Sequence, residues 1–568
     1  MSIRFENTAQ ALLALLALRG IDYFLANAGT DFASIADGFA RRIHEGKNTP
    51  KPMAIPHENP LFAMAHGYYM VSGKPLAAMV HVNVGTANAL GALMNAHRSR
   101  TPVLFMAGRT PIMESGIPGC RSLYIHWNQE SFDQAAMVRE YVKWDYELRH
   151  PSQLESVLDR ALAIAMSEPK GPVYLTLPRE ILAAPYEGPE FCDRHRYDLP
   201  RRYPDPAKIE TVGRMLADAE FPVVITSAAG RDSETVEVLA QFANTAGCGV
   251  VSFNPEFMNF PLGHPLHLGF DPEPYLSEAD LILAVECDIP WYQNRVMPRK
   301  NAKLVHIGVD PLYSHLPLRS HPSDVTLVGK AGVVLNELCR MTAAYVAEKE
   351  AFIETRKKKN QDRHQAVIEG LAGKDFSSRN DGPIDPAYAS ACLNSLLTGD
   401  EIVVNEYDNC MKNQPKLRAG HYFCSPHGGH LGWGLGAALG AKLARPDKTV
   451  LATIGDGSYL FNVPSACHSA SAAHDLPFLT IVYNNQSWHA VKRATLGMHP
   501  QGWAARSNMF PFTTLYSGAA YEKICEAFGG HGESIVNQKD VAPALERALR
   551  VVREEKRQAL VNLVCKCP

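Results

Sequence analysis

The stretch VLATIGDGSYLFNVPSACHSASAAHDLPFLTIVYNNQS, residues 450–487, decides the fold class. It contains two apolar runs, 450–454 and 478–483, separated by a segment with the pattern of a helix. A strand, a helix and a second strand in this order predict two parallel strands of an α/β layer. Residues 455–458 (GDGS) follow the first strand and residues 484–487 (NNQS) follow the second. Both segments are therefore expected at the carboxyl edge of the sheet, where open α/β sheets bind their ligands.

The same alternation of apolar runs and helical patterns extends over the rest of the chain. It predicts three consecutive α/β domains with doubly wound parallel sheets, at 1–185, 200–345 and 380–568. The Pro-rich stretch 185–206 and the polar segment 348–386 are interpreted as linkers, the second with some helix. The basic run 356–359 predicts a solvated helix face. Helices are expected at 11–18 and 86–98, and strands at 23–25, 76–81, 102–108, 172–178, 223–226, 249–252, 281–285, 304–308, 401–405, 450–454, 478–483 and 560–564.

Composition and charge place the chain among ordinary globular proteins. Of its 568 residues, 46% are hydrophobic and 20% are charged, and the net charge of −3 gives no reason to expect nucleic acid or an anionic membrane as partner. Twelve cysteines without a CxxC pair indicate a reducing compartment. The apolar run at 11–18 lacks a strongly basic start and a cleavage site, and no apolar stretch is long enough to span a bilayer. We therefore expect a cytoplasmic protein.

The residues after the two strands have the chemistry of a magnesium and diphosphate site. Magnesium prefers hard oxygen ligands, and the carboxylate of Asp456, the amide oxygen of Asn485 and the backbone carbonyl of Ser487 supply them. Gly455 and Gly457 let the backbone approach a diphosphate closely. A helix expected to begin after Ser458 would point N–H groups at the negative charge.

This pair of motifs is similar to the thiamine-diphosphate motif of the acetolactate synthase, benzoylformate decarboxylase and benzaldehyde lyase family. The resemblance covers essentially the whole chain and implies thiamine diphosphate held through Mg²⁺. It also implies that each site is shared between subunits, and hence a homodimer at minimum and commonly a homotetramer. The interval from Asp456 to Asn485 is slightly longer than is usual in the family, and the extra length falls near 464–474.

The segment GGHLGWGLG, residues 428–436, has the glycines of a dinucleotide fingerprint but no acidic residue after a following strand. Its small residues favour close helix packing and close approach to a cofactor. The resemblance places Leu431 where the family has the residue that holds the cofactor bent, beside Gly429 and His430. His427 and His430 lack the further ligands of a zinc site. At the end of the domain's first strand, the resemblance implies diphosphate contacts from Asn405, Glu406 and Tyr407.

The chemistry of thiamine requires a carboxylate beside the aminopyrimidine ring. IPHENP, residues 55–60, followed by AMAHGY, residues 63–68, resembles the family's glutamate motif. The resemblance assigns the activating role to Glu58. Without the second motif, a glutamate at a helix start would indicate only a favourable dipole interaction.

Several residues are expected to line the substrate pocket. Residues 79–93 resemble benzoylformate decarboxylase, which implies that His81 is an acid/base; the alternative is a histidine paired to the backbone at a strand end. Thr30 matches that enzyme's substrate-binding serine. Gln293 falls near its second catalytic histidine but cannot transfer protons. Residues 129–134 are interpreted as a strand in which Gln129 approaches the reacting carbon. Residues 486–488 resemble benzaldehyde lyase, which places three residues at the pocket: Trp488, His489 and Ala490.

The resemblance implies a decarboxylase, or a carbon–carbon lyase or carboligase, that acts on a 2-oxo acid or 2-hydroxy ketone through a carbanion-enamine. An acetolactate synthase-type transferase is the alternative of the same class. FAD is not expected, because residues 227–232 contain one glycine rather than a cluster. A non-catalytic thiamine-diphosphate-binding protein is an alternative of another class, and the presence of Glu58 argues against it. A NAD-linked dehydrogenase is disfavoured by the glycine context.

Overall fold

A computed structural model of the chain describes residues 5–188, 191–192, 197–372, 382–407 and 416–566. It contains three parallel sheets, one for each of the expected α/β domains, so the predicted fold class is confirmed. The domain boundaries proposed from sequence stay a prediction, although each sheet lies within one of the predicted ranges.

The first sheet has six strands in the order β2-β1-β3-β4-β6-β5. The helix at 11–18 is confirmed within α1, which the side chain of Asn7 caps by accepting a hydrogen bond from Gln10 N. The helix expected at 86–98 is two helices that meet at Ala89. The elements are β1 (Tyr23–Asn27), β2 (Lys51–Ala54), β3 (Ala77–Val80), β4 (Leu104–Arg109), β5 (Asp145–Glu147), β6 (Val173–Pro178), α1 (Thr8–Leu18), α2 (Ala33–His44), α3 (Glu58–Ser72), α4 (Val82–Asn88), α5 (Leu90–Arg98), α6 (Ile125–Asn128), α7 (Leu154–Met166) and α8 (Arg179–Ala183).

The middle sheet has five strands in the order β11-β10-β9-β7-β8. Its strands bury continuous apolar runs because helices cover both faces. The elements are β7 (Pro222–Thr226), β8 (Gly249–Ser252), β9 (Leu281–Val285), β10 (Lys303–Gly308), β11 (Val325–Val328), α9 (Pro206–Asp218), α10 (Glu234–Ala246), α11 (Glu273–Leu276), α12 (Ala331–Val346) and α13 (Glu350–Ala372).

The polar segment after the middle domain contains helix, as the sequence predicts, but the prediction that its basic run is solvated was wrong for Arg356. Residues 350–372 form the single long helix α13, whereas residues 373–381 lie outside the described part of the chain. Arg356, expected on a solvated face, is buried, and its guanidinium donates to carbonyl oxygens at the ends of α9 and α10. Cationic groups stabilise the carbonyl ends of helices, which explains why this arginine is drawn inward.

The third sheet has six strands in the order β13-β12-β14-β15-β17-β16, the same order as the first sheet. Helices cover both of its faces. The elements are β12 (Ile402–Glu406), β13 (Tyr422–Cys424), β14 (Val450–Gly455), β15 (Leu479–Asn484), β16 (His531–Ile535), β17 (Ala559–Val564), α14 (Pro386–Leu396), α15 (Gly434–Ala444), α16 (Asp456–Phe461), α17 (Pro464–Ala473), α18 (His489–Met498), α19 (Trp503–Ser507), α20 (Tyr521–Ala527) and α21 (Val541–Arg550).

Helix α3 of the first domain packs directly against helix α15 of the third. A Cβ atom on Gly67 would lie 2.1 Å from the carbonyl oxygen of Ala437, and one on Gly440 would lie 2.1 Å from that of Met64. The two helix backbones are therefore in contact, and glycine is required at both positions. No helix among the described residues is both long and apolar enough to cross a membrane.

Candidate active site

The ends of β14 and β15 lie side by side, as the sequence predicts, because Gly455 pairs with Tyr483 in the sheet. The carboxylate of Asp456 accepts hydrogen bonds from Gly457 N at 2.9 Å and from Gln486 N at 2.6 Å. These bonds tie the two strand ends together. The amide oxygen of Asn485 accepts a bond from Ser487 N at 2.9 Å. Asp456, Asn485 and Ser487 are all buried.

The helix at this edge begins earlier than the sequence suggests. The prediction that it starts after Ser458 was wrong, because α16 begins at Asp456. The bond from Gly457 N draws the carboxylate into the first helical turn, where negative charge is favourable. The helix ends at Phe461, and Val463 in the left-handed region separates it from α17.

The donor set at this edge suits a divalent cation and a diphosphate. Burial raises the pKa of Asp456, although backbone N–H groups donate to the carboxylate and oppose the shift. Buried carboxylates are normally paired with a cation or bound to a metal, and no ion pair found among the described residues involves Asp456. The described residues contain no cluster of three or more His, Cys, Asp or Glu side chains suited to a metal. One carboxylate with amide and carbonyl oxygens instead matches the ligand preference of magnesium. The residues present therefore fit the expected group.

Trp488 lies over this edge. A Cβ atom on Gly457 would be 2.3 Å from the Trp488 ring, so glycine leaves the space that the indole fills. The indole also makes an edge-to-face contact with Phe461, with ring centroids 5.8 Å apart. His489 and Ala490 follow as the first two residues of α18. The structure thus places these expected pocket residues at the edge of the sheet that carries Asp456.

The end of β12, the neighbouring strand, is occupied by internal hydrogen bonds. Asn405 donates to Tyr407 O at 2.6 Å and accepts from Thr453 at 2.7 Å. The buried carboxylate of Glu406 accepts from the backbone of Gly432 at 2.7 Å, and also from Trp433 N, Gly434 N and Asn462 Nδ2. Glu406 therefore shapes the segment that carries Gly429, His430 and Leu431. Diphosphate contacts from Asn405, Glu406 and Tyr407 stay a prediction.

Glu58 lies where this segment meets the first domain. It is the first residue of α3 and is only 8% exposed. Its carboxylate accepts a hydrogen bond from Asn88 Nδ2 at 2.6 Å. The next residue, Asn59, donates to Gly432 O at 2.9 Å and bonds to the His430 ring at 3.1 Å. Within one chain, the start of α3 and the loop around Leu431 are therefore neighbours.

His81 is held by a buried carboxylate. Its Nδ1 lies 2.5 Å from Asp31 Oδ1, and its Nε2 lies 3.3 Å from Gln129 Nε2. The hydrogen bond to Asp31 raises the pKa of His81 against the opposing effect of burial, and Glu58 adds to the rise. The alternative interpretation, a ring fixed only by the backbone at a strand end, is not what this structure shows.

Two glycines of the first domain leave the space that the Asp31 and His81 side chains occupy. A Cβ atom on Gly29 would be 2.2 Å from the His81 ring, and one on Gly108 would be 1.8 Å from Asp31 Oδ2. Thr30 lies exposed beside Asp31 at the turn after β1.

Two expectations about the pocket differ from the structure. Residues 129–134 do not form the predicted strand, because Glu130 turns inward to pair with Arg109 and Arg121. Gln129 nevertheless reaches His81. Gln293 lies on the middle domain and donates to Ser320 O at 2.6 Å, and no hydrogen bond found among the described residues connects it to His81.

Sequence reasoning missed Asp31 and Asn88 as partners of the expected catalytic residues. An aspartate that directly follows a strand-to-helix turn was the available signal for Asp31. Asn88 occupies the last position of α4. Its relation to Glu58 depends on how α3 and α4 pack, which no local pattern reveals.

Three family models match the chain in order. They are described as the thiamine pyrophosphate enzyme N-terminal TPP binding domain at 6–137, its central domain at 209–338 and its C-terminal TPP binding domain at 409–563. A sulfoacetaldehyde acetyltransferase of Rhodobacter capsulatus is 25% identical over 95% of this chain and 91% of its own length. An acetolactate synthase large subunit of Haemophilus influenzae is 24% identical over 96% and 92%. The structure of a benzoylformate decarboxylase from Polynucleobacter necessarius is 19% identical, with a TM-score of 0.80 over 99% of both chains.

Proposed function

The chain belongs to the thiamine pyrophosphate enzyme family, and from that premise we propose that it is an enzyme dependent on thiamine diphosphate and Mg²⁺. In this proposal it is a decarboxylase, or a carbon–carbon lyase or carboligase. Its substrate is a 2-oxo acid or a 2-hydroxy ketone. The observation that carries the proposal is the buried carboxylate of Glu58 beside the loop around Leu431, with His81 in the same domain. Binding alone would not need an activating carboxylate or a proton-transferring histidine.

Each group has a defined task in this proposal. Asp456, Asn485 and the carbonyl of Ser487 would hold Mg²⁺, and N–H groups at the start of α16 would be available to the diphosphate. When bound, thiamine diphosphate would supply a nucleophilic carbon for addition to a carbonyl, and its thiazolium ring would take up the electrons of the carbon–carbon bond that breaks. Glu58 accepts and returns a proton at its carboxylate.

His81 moves a proton at Nε2, the ring nitrogen that faces Gln129. Asp31 acts through His81 as a positioning residue. Its bond to Nδ1 fixes the orientation of the ring and favours the protonated form. The left-handed backbone at Val82, with φ of 30°, directly follows His81 and helps to aim it.

Turnover of a substrate panel tests the proposal. The protein is incubated with thiamine diphosphate, Mg²⁺ and 2-oxo acids or benzoin-type ketones, with and without a second carbonyl compound as acceptor. We expect substrate loss that Glu58→Gln reduces by at least about 100-fold, the lower range for general acid–base catalysis. Glu45→Gln, at an exposed position, serves as the matched control. Tight cofactor binding without turnover of any substrate would contradict the proposal.

Product analysis separates the reaction classes. Release of CO₂ with protonation indicates a decarboxylase, and release of an aldehyde indicates a lyase. Acetyl transfer to an acceptor is the second candidate function, and the names of two relatives, an acetyltransferase and an acetolactate synthase, support it. That outcome requires a product containing carbon from both substrates.

We further propose a homodimer at minimum, and a homotetramer as the expected assembly. Large apolar side chains are exposed on the first domain, including Tyr124 and Phe132, and around α19 of the third, including Trp503 and Phe512. Exposed patches of this kind are typical of subunit interfaces. Light scattering should give at least twice the mass of 62.4 kDa; a monomeric mass would contradict the proposal.

Co-expression of two inactive variants tests whether subunits share sites. If Glu58 of one chain serves the metal site of its partner, co-expressed Glu58→Gln and Asp456→Asn chains form dimers with one intact site and recover activity. If each site is instead completed within one chain, the co-expressed variants recover no activity. Because Asn59 contacts Gly432 within one chain, a site completed inside a single chain is the alternative that this test distinguishes.

A further inference from the structure

The loop that leads into α15, residues 428–433, is held by hydrogen bonds from another domain. We call it the Leu431 loop. The residues on either side of Leu431 are His430 and Gly432. Two buried asparagines of the first domain donate to the carbonyl oxygens of these two neighbours. The backbone is therefore anchored on both sides of Leu431.

The first of these asparagines, Asn95 of α5, uses both ends of its amide. Its Nδ2 donates to His430 O at 2.8 Å, and its Oδ1 accepts from His430 N at 3.2 Å. Asn95 is 1% exposed. Two glycines provide the space for this pairing. A Cβ atom on Gly91 would lie 2.3 Å from the His430 ring, and one on Gly428 would lie 2.6 Å from Asn95 Oδ1.

The second asparagine, Asn59, directly follows Glu58 on α3. Its Nδ2 donates to Gly432 O at 2.9 Å and to Phe461 O at 3.3 Å. Its Oδ1 accepts from Nε2 of the His430 ring at 3.1 Å. Phe461 is the last residue of α16. One buried side chain thus connects the helix that carries Glu58 with both the Leu431 loop and the end of α16.

The third domain anchors the same loop with a carboxylate. Glu406 accepts from Gly432 N at 2.7 Å and from Gly434 N at 2.8 Å. An ionised carboxylate accepts hydrogen bonds but cannot donate them, so it cannot satisfy the carbonyl oxygens of the loop. The asparagines supply those donors. Leu431 lies between the anchored residues and is itself only partly buried, so its side chain stays accessible to a ligand.

We propose that Asn59 and Asn95 are positioning residues that hold the Leu431 loop in one conformation before thiamine diphosphate binds. The inference rests on the proposed function, in which this loop belongs to the cofactor site. A loop that is already ordered loses less conformational freedom on binding, so the cofactor binds more tightly. All of these contacts lie within one chain. They therefore act in the same way whether a site is completed within one chain or shared between two.

Cofactor affinity is the first readout. The full-length protein, freed of cofactor, is titrated with thiamine diphosphate at saturating Mg²⁺ in a calorimeter. We expect Asn95→Ala to raise the Kd by about tenfold or more, the effect of losing one or two hydrogen bonds. Asn360→Ala is the matched control, because Asn360 is a fully buried asparagine of α13 that donates to Gly247 O at 3.1 Å.

The control separates positioning from stability. Asn360→Ala should lower the melting temperature but leave the Kd unchanged, since it lies in the middle domain. Asn95→Leu fills the space of the asparagine and makes neither hydrogen bond, so it should raise the Kd as Asn95→Ala does. An unchanged Kd in Asn95→Ala, an equal rise in Asn360→Ala, or wild-type affinity in Asn95→Leu would overturn the proposal.

Hydrogen exchange of the cofactor-free protein, followed by mass spectrometry on peptides covering 428–433, is the second readout. Because His430 N loses its acceptor in Asn95→Ala, we expect the loop to exchange at least about tenfold faster. Asn59→Ala should have the same effect, and Asn360→Ala should have none. A raised Kd with exchange as slow as in the wild type would refute ordering of the loop. Neither readout needs turnover, so a protein that binds the cofactor but converts no substrate contradicts the proposed reaction and not this inference.

Discussion

Replacing Asp31 by asparagine removes the carboxylate charge that lies against Nδ1 of His81. Asp31 is 4% exposed and the His81 side chain 18%, so the pair is partly shielded from water. The Nδ1–Oδ1 distance is 2.5 Å. Asparagine has nearly the same shape and can still accept a hydrogen bond. The substitution therefore isolates the effect of the charge on the pKa of His81.

The size of the effect follows from this geometry. Opposite charges about 4 Å apart at an effective dielectric constant of about 20 attract by about 4 kcal/mol. The exposure of His81 and the neutral bond kept by asparagine reduce this to about 1.5–3 kcal/mol, the range for hydrogen bonds to charged groups. Losing this attraction disfavours the protonated imidazole, so we expect the pKa of His81 to fall in Asp31→Asn.

The pH dependence of kcat/KM measures this change. Asp31 raises the pKa of His81, so removing it must move the limb that reports His81 towards lower pH. Asp37→Asn, an exposed charge change in the same domain, should leave the limb in place. An unmoved limb in Asp31→Asn, or a limb that persists in His81→Phe, would refute the assigned pairing.

Three other predictions concern the metal, the helix contact and domain packing. Asn485→Ala should raise the Mg²⁺ concentration needed for half-maximal cofactor binding by at least about tenfold, measured by quenching of tryptophan fluorescence. Gly440→Ala should destabilise the protein by about 1–3 kcal/mol in thermal unfolding because its Cβ would meet a backbone oxygen, whereas Gly370→Ala in open space should not. Burial opposes protonation of His427, but Glu256 and Asp288 raise its pKa to about 9. That stabilisation is complete below pH about 6.5 and is lost as pH rises through about 9, so His427→Asn should flatten the pH profile of the melting temperature.

Sequence patterns predicted the central strands and missed most edge strands. The apolar run at 223–226 lies within the central strand β7, and the run at 281–285 coincides with the central strand β9. The five strands not predicted are β2, β5, β11, β13 and β16, and each lies at the edge of its sheet. In β2, only Met53 is buried, so no continuous apolar run marks the strand. A central strand buried on both faces carries that signal, whereas many edge strands do not.

The same distinction applies to the candidate site. Asp456 and Asn485 were predictable because each follows an apolar strand directly, so sequence order fixes their place on the sheet. The pairing of Asp31 with His81 joins residues 50 positions apart. It requires β1 and β3 to be neighbours, which only the strand order of the folded sheet determines. For Arg356 the local pattern was misleading. The run of basic residues predicted a solvated side chain, whereas packing of the folded chain buries its guanidinium against a backbone carbonyl.

The shared strand order of the first and third domains explains how two distant motifs come together. Helix α3 follows the second strand of its sheet, and α15 follows the second strand of the other, so the two helices are topological equivalents. They pack backbone to backbone through Gly67 and Gly440. The start of α3 carries Glu58, and the loop before α15 carries Leu431. Within one chain, the segment that carries Glu58 therefore lies next to the loop that carries Leu431, as the hydrogen bond from Asn59 to Gly432 shows. Two copies of one strand order thus present different side chains at a single contact.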